Sequence, residues 1–337
     1  MKKFGMIAVS IACVALLVLL LVLPGGAPLG QNGTPSVPAA TQTPTDPPTD
    51  PPTDPPTDPP TEPPTETTVS VPAPDEEALR AKYIFVYDCD TSRVLYTRGS
   101  HTDRVAPASL TKLLTAYVVL EILDPEQVIT VGPEAHWVDP ESSIAYIANG
   151  QKLTVEMLVE GMLLQSGNDA AYVLAVAGGR AIANDPQLDR WDAIDIFMQR
   201  MNARAEYYGL TGSHFVNPDG IDHEDHYTTT ADLLVIAKLA MTNEIICRYA
   251  SMAKHNVTYV SGQNATWMNT NYLLQEDSGY YCPAAIGLKT GSTSGAGKCL
   301  LSAFRKENGG TLIICVLGCE NDDVRYSDTL ALYDLYK

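Results

Sequence analysis

The chain has 337 residues, with 22 Lys and Arg against 40 Asp and Glu and a formal charge of −18. That sign excludes a general affinity for nucleic acid, because phosphate binding needs a basic surface. With 45% hydrophobic residues and glycine at no fixed period, collagen and a wholly disordered chain are excluded as well. Proline is unevenly spread, with 17 of 24 inside residues 24–75. Seven acids and two lysines also precede residue 76, which leaves 20 basic and 33 acidic residues in 76–337. About 260 residues suffice for one large domain or two lobes.

Residues 1–5 carry Lys2 and Lys3 and are followed by an uncharged apolar run, Met6 to Leu23. Eighteen residues at 1.5 Å rise give about 27 Å, close to the thickness of a bilayer core. The lysines place residues 1–5 in the cytoplasm by the positive-inside rule. The favoured reading of 6–23 is an uncleaved transmembrane anchor, because Pro24 and Pro28 make a poor peptidase site; a cleaved signal peptide is the alternative. Either one exports the remainder, and cleavage would leave it secreted. Cys13 sits inside the run as a small apolar filler.

Residues 24–75 form a Pro/Thr/Asp-rich stalk. Thr-Asp-Pro-Pro repeats at 45–48, 49–52, 53–56 and 57–60. Half of each repeat lacks an N–H and has φ fixed, and no apolar face exists to bury. An extended polyproline-II spacer reaching on the order of 160 Å is expected.

In the remainder, Tyr83–Tyr87 and Arg93–Thr97 read as paired strands around Asp88-Cys89-Asp90-Thr91-Ser92. Leu110 to Leu123 has helical spacing and stops at Asp124-Pro125. A helix capped by Thr154 ends near Gln165-Ser166-Gly167, and another begins at Asn168. Residues 188–207 and 230–241 also read helical. Ala285–Thr290 reads as a strand, Cys299–Arg305 and Thr311–Gly318 as a hairpin, and Val324–Tyr336 as a closing helix. The order predicts an α+β fold: an antiparallel sheet built from both chain ends, flanked by helices, with a helical lobe inserted.

Three short elements carry chemistry. Ser109-Leu110-Thr111-Lys112 is an S-x-x-K that opens an apolar helix. Ser and Lys three apart share one helix face, so the amine reaches the hydroxyl. A hydroxyl becomes nucleophilic when a base takes its proton, and a lysine with a depressed pKa is such a base. Ser166-Gly167-Asn168 is an S-x-N between two helices, and Lys289-Thr290-Gly291 is a K-T-G at a strand end. Each alone is explained by a cap or a turn. Ser251-Met252-Ala253-Lys254 repeats the first spacing and is read as an accident.

In this order the three elements are the signature of penicillin-binding proteins and serine β-lactamases. Their flanks, Ala106–Thr115, Met162–Ala170, His226–Leu233, Asn269–Leu274 and Gly287–Leu300, resemble the low-molecular-mass serine D-alanyl-D-alanine carboxypeptidases, peptidase family S11. The resemblance covers roughly residues 80–337, so 76–337 is assigned as the catalytic domain. It implies a β-lactamase/transpeptidase-like fold and hydrolysis of the terminal D-Ala-D-Ala bond of peptidoglycan stem peptides. β-Lactams are implied as covalent inhibitors, with no cofactor and no metal. Ser109 is the implied nucleophile and Lys112 the general base. Ser166 relays a proton, and Asn168 holds Lys112 and the substrate amide. Lys289 supplies positive charge, helps keep Lys112 neutral and, with Thr290, attracts the terminal carboxylate. Gly291 lets substrate backbone lie against the strand, and the N–H groups of Ser109 and Ser292 form the oxyanion hole.

The alternatives are a serine β-lactamase, a D,D-transpeptidase or endopeptidase, and a non-catalytic β-lactam sensor or wall-binding module. No Glu-x-x-Leu-Asn stretch follows Ser166, which counts against a class A β-lactamase, and five residues ahead of the anchor leave little for signalling. Well-known members of the family carry a further all-β domain and a C-terminal amphipathic helix. The sequence ends at Lys337 after the closing helix, so the anchor is expected at the N-terminus instead.

His223, Glu224, Asp225 and His226, with Asp219 and Asp222, are assigned to a polar loop rather than a metal site. Trp137, Trp191 and Trp267 have no spacing that suggests a sugar platform and are assigned to core or rim packing. The cysteines beyond Cys13 are expected as buried free thiols, with a Cys299–Cys315 bridge conceivable.

Overall fold

The computed structural model describes residues 71–337. The anchor or signal at 6–23 and most of the stalk lie outside the described residues. Among the described residues no helix is long and apolar enough to cross a membrane.

Five strands make one antiparallel sheet: β1 (Tyr83–Asp88), β2 (Arg93–Arg98), and, from the far end of the chain, β7 (Ala285–Thr293), β8 (Gly297–Arg305) and β9 (Thr311–Cys319). The spatial order is β2-β1-β9-β8-β7, so the first strand lies beside the last and β7 forms an edge. Side chains alternate between two cores, as a period of two requires. Phe85, Tyr87, Leu301, Ile313 and Cys315 face the helical lobe. Ile84, Val86, Leu300, Phe304, Ile314 and Val316 face α7 (Asp322–Tyr336), whose Tyr326, Leu332 and Tyr333 close the second core.

Between β2 and β7 comes the inserted lobe: α1 (Thr111–Ile122), α2 (Val155–Leu164), α3 (Asn168–Ala183), α4 (Arg190–Tyr207), α5 (Thr230–Met241) and α6 (Glu244–Ser251). Two small hairpins, β3 (Val128–Thr130) with β4 (Lys152–Thr154) and β5 (Lys254–Thr258) with β6 (Asn264–Met268), complete it. α1 is apolar around most of its circumference and is accordingly buried on nearly every side. Thr154 caps α2 as expected, accepting from the Met157 N–H at 3.1 Å, and Thr229 caps α5, accepting from the Asp232 N–H at 3.0 Å.

Cys89, Cys247, Cys282, Cys299, Cys315 and Cys319 are all free thiols. The last four are buried, whereas Cys89 and Cys247 are only partly covered. Cys315 stands opposite Leu301, so Cys299 is out of register with it. Ser251 closes α6 while Lys254 opens β5, so the second S-x-x-K does not share a helix face.

Candidate active site

Ser109 sits in a single 3-10 turn, Ala108–Leu110, that runs directly into α1. Ala108 before it has φ +49°, a left-handed value that costs a non-glycine residue roughly 1–3 kcal/mol. A hydrogen-bond relay stands behind it. The Val216 N–H donates to His226 Nδ1 at 3.1 Å, which leaves the proton on Nε2. Nε2 donates to Thr111 Oγ1 at 3.0 Å, and that hydroxyl donates to the Ala108 carbonyl at 2.9 Å. Burial pushes His226 down to about 4, so the ring stays neutral.

Two glycines let other segments touch this turn. A Cβ on Gly220, at φ +93°, would lie 1.9 Å from the Ala108 carbonyl oxygen. A Cβ on Gly291 would lie 3.0 Å from Ala108 Cβ and 3.3 Å from Ser109 N. Gly291, expected to give clearance to substrate, also lets the Ser109 turn pack closely against β7.

Lys112, one turn along α1, donates to Ser109 Oγ at 2.8 Å and to the Asp219 carbonyl at 2.7 Å. It has no exposed surface, and burial depresses its pKa to about 8, while Asp219 and Asp169 pull the other way. The sequence credited Lys289 with keeping this amine neutral; desolvation is the main cause. The expected grip of Asn168 on Lys112 is taken by the Asp219 carbonyl. Asn168 is buried at the start of α3, its own N–H donating to Ser143 O at 2.9 Å.

Lys289 is also buried and is pushed well below the ordinary lysine range by burial first, then by the charges of Lys112 and Arg325. Its amine donates to the Thr290 carbonyl at 3.1 Å. The Thr290 hydroxyl meets Thr270 Oγ1 at 2.6 Å. Ser166 occupies the α2–α3 junction at φ +57°, and Gly167 after it packs under Ala145, where a Cβ would stand 2.8 Å from the Ala145 Cβ.

Ser109, Ser166, Thr290, Gly291 and Ser292 line one cavity of about 390 Å3. Ser109, Asn168, Asp219 and Ser292 line a second of about 510 Å3. The serine therefore opens onto both, and Ser292 stands at the shared wall. As the edge of its sheet, β7 offers its outer backbone to an extended ligand.

Sequence reasoning missed four residues here. Asp219 is buried beside Lys112, with Oδ2 lacking a partner and burial raising its pKa. Asp222 accepts from Thr293 Oγ1 at 2.6 Å and from the Gly295 N–H at 2.7 Å, tying the 217–228 loop to the turn after β7. His226 holds the nucleophile turn. Arg325, at the start of α7, donates to the Gly291 and Cys299 carbonyls, each at 3.3 Å, and pairs with Asp322, three positions earlier on the same helix, at 2.7 Å. The polar run 217–228 was the one available signal. It is spent on these separate contacts, and among the described residues no group of three or more His, Cys, Asp or Glu is arranged to hold a metal.

A cavity-lining serine at the entry to α1, paired with a buried lysine one turn on and seated against an antiparallel sheet, defines an active-site-serine enzyme of the acyl-transfer kind. The family model for D-alanyl-D-alanine carboxypeptidase, Peptidase S11, matches residues 66–321. D-alanyl-D-alanine carboxypeptidase DacF of Bacillus subtilis is 27% identical over 264 residues, 77% of this chain and 62% of that protein. The D-alanyl-D-alanine carboxypeptidase of Streptomyces sp. K15 is 34% identical over 250 residues, 71% of this chain and 80% of that protein. Among solved structures, the Streptomyces K15 DD-transpeptidase superposes with a TM-score of 0.69 at 32% identity, covering 79% of this chain and 98% of that one. The chain thus spans under two thirds of the Bacillus relative and four fifths or more of the Streptomyces one. The chain belongs to the S11 family of D-alanyl-D-alanine carboxypeptidases, which are serine peptidases.

Proposed function

We propose that the protein removes the terminal D-alanine from peptidoglycan stem peptides through an acyl-enzyme on Ser109. The observation that carries this reading is the 2.8 Å contact from a buried, pKa-depressed Lys112 to Ser109 Oγ. Neutral Lys112 takes the hydroxyl proton as the oxygen attacks the penultimate D-Ala carbonyl. The N–H groups of Ser109 and Ser292 meet the developing oxyanion, each donor contributing roughly 3 kcal/mol at the transition state. Ser166 passes a proton to the departing D-alanine nitrogen, and Asn168 bonds the substrate amide. Lys289 and Thr290 receive the terminal carboxylate. Water then releases the acyl group. A β-lactam ring presents an equivalent carbonyl to Ser109 and leaves a stable adduct.

A second reading, transfer of the acyl group to an amine, is supported by the Streptomyces K15 DD-transpeptidase, which this chain matches over nearly its full length. Both outcomes share the acyl-enzyme and differ in the acceptor. The substrate lies outside the cytoplasm, and residues 6–23 supply a single-pass anchor that holds the catalytic domain on that side, with 24–75 as its stalk.

Incubation of the full chain with penicillin and with a diacyl-L-Lys-D-Ala-D-Ala peptide tests this. The expected result is a mass adduct on Ser109 and free D-alanine. A labelled Ser251, or release that survives Ser109→Ala, rejects the assignment. Product analysis with added glycine separates hydrolysis from transfer. Protease protection of right-side-out vesicles tests the anchor.

A further inference from the structure

We propose that Trp137 and Trp191 form a stacking platform for the pyranose rings of the glycan strand that carries the stem peptide. No spacing in the sequence pairs these residues, which lie 54 positions apart. The structure stacks their rings in parallel, with centroids 4.0 Å apart and planes 4° from one another. Trp137 is half-buried against the core and covers one face of Trp191, which remains 57% exposed, so the outer face of the Trp191 indole is the aromatic surface open to solvent.

The platform is held rigidly from below. Buried Glu134 accepts from Arg190 at 2.8 Å, joining the 3-10 turn Pro133–His136 before Trp137 to the first residue of α4 before Trp191. The Gly132 N–H also donates to Glu134 at 2.9 Å, and Trp137 N–H donates to the Glu134 carbonyl at 3.1 Å. Asp189 caps α4 through the Trp191 N–H at 2.9 Å. Such anchoring lowers the ordering cost of binding.

The chain that leaves Trp137 becomes a wall of the site. Asp139, Glu141 and Ser143 line the second cavity with Ser109. The same segment ends in a second presented aromatic. Tyr146 is 75% exposed yet held at φ +60°. Its neighbours on both sides are pinned: Ala145 and Ile147 N–H groups donate to buried Asp169 at 2.7 and 3.2 Å, and Trp267 Nε1 donates to the Ala145 carbonyl at 2.9 Å. A strained residue fixed by buried partners and pointing an aromatic ring at solvent marks a contact surface.

Charge selects the occupant. Exposed Asp139, Glu141, Asp189 and Asp192 flank the two tryptophans in sequence. They repel a polyanion and a second copy of this acidic chain. They accept hydrogen bonds from the hydroxyls of a neutral sugar, whose apolar ring face fits an indole. This inference rests on the proposed function for the identity of the polymer and deepens it by adding the glycan to the recognised substrate.

The test compares D-alanine release by the full chain from a free tripeptide and from the same stem peptide on uncrosslinked glycan strands. Trp191→Ala is expected to raise KM on the glycan-linked substrate about 5-fold and to leave the free tripeptide within twofold. Tyr146→Gly removes the second ring while accepting its φ without strain, so it should act the same way with unchanged Tm. Co-sedimentation with chitin, an insoluble neutral polymer of N-acetylglucosamine, gives a readout that needs no catalysis: wild type pellets and Trp191→Ala stays in solution. Equal losses on both substrates, or no sedimentation of the wild type, overturn the platform. A wild type that pellets but releases no D-alanine from either substrate leaves the platform standing and removes the peptidase reading.

Discussion

The amine of Lys112 bridges Ser109 Oγ at 2.8 Å and the Asp219 carbonyl at 2.7 Å, so the proposed general base is gripped by the proposed nucleophile on one side and by a loop 107 positions away on the other. A base acts when neutral. With a pKa of about 8, its neutral fraction rises tenfold per pH unit below that value and levels off above it. Acylation by a β-lactam is therefore expected to climb with unit slope from pH 6 to about 8 and then flatten. A break near 10.5, or a flat profile, would remove Lys112 from the role. Lys112→Arg, whose guanidinium keeps its proton, should lower acylation by about 1,000-fold or more.

The His226 relay ties stability to acid. Its folded pKa, about 4, lies below the ordinary histidine value of 6.5, so between those values the unfolded chain binds the extra proton. Stability is complete above pH 6.5 and falls as pH drops toward 4, by on the order of 3 kcal/mol at full protonation of the unfolded state. Urea melts of wild type against His226→Gln should diverge in that window and run parallel above it. Parallel melts throughout would show that His226 is not held neutral.

Gly220→Ala places a Cβ against backbone, which no side-chain rotation relieves. A loss of about 3 kcal/mol or more is expected, with penicillin binding abolished. Gly262→Ala is the control: φ is +91° but no atom lies within 4 Å, so only the backbone cost of about 1 kcal/mol applies. Equal effects at the two positions would mean that the nucleophile turn does not need this close approach.

Asp222→Ala removes the clamp on Thr293 and Gly295, close behind Ser292. Acylation should slow about 10-fold while Tm moves little, because Ser292, the proposed oxyanion donor, loses its support but the core does not. Asp222→Asn, which keeps an acceptor, should recover part of the rate. A shift in Tm without a shift in rate would make the residue structural only.

Alkylation of the native protein by iodoacetamide should label Cys89 and Cys247 and spare Cys282, Cys299, Cys315 and Cys319. Burial raises the Cys299 thiol to about 11 and Cys315 well above its usual value, which withholds the reactive thiolate as well as access. Peptide mapping before and after unfolding reads this directly. Labelling of Cys315 in the folded state would contradict the packing of β8 on β9.

Reading the sequence served best where structure is local. The helix 230–241 appears at Thr230–Met241, and the sheet draws on both chain ends as expected. Ser109 and Lys112 were legible because one helical turn fixes their separation. The β5–β6 hairpin was not, since Val257 and Trp267 are the only buried residues in it and leave no alternation to detect. The β3–β4 pair was likewise too short to carry a pattern, whereas α6 does bury Ile246, Tyr249 and Ala250 at helical spacing behind an Asn243 cap and was overlooked. Asp219, Asp222 and His226 lay in a stretch assigned to loop packing, and Arg325 lay on the closing helix. Their contacts span tens of positions or more than a hundred, and no spacing rule reaches that far. The two tryptophans of the stack fall in the same class.

The neighbourhood of β1 and β9 has a mechanical meaning. Just ahead of β1, the Arg80 and Ala81 N–H groups both donate to Asp328 on α7 at 2.7 Å, and Pro72 accepts from Tyr336 at 3.0 Å. Tension applied at residue 71 is met first by this clasp and then by shear along the β1–β9 ladder. β7, which carries Lys289 and Thr290, lies at the opposite edge with β8 between it and the loaded pair. If residues 24–70 act as the proposed stalk, a tug on them is absorbed before it reaches the strand that carries Lys289 and Thr290, and the proposed chemistry can proceed under strain from its own leash.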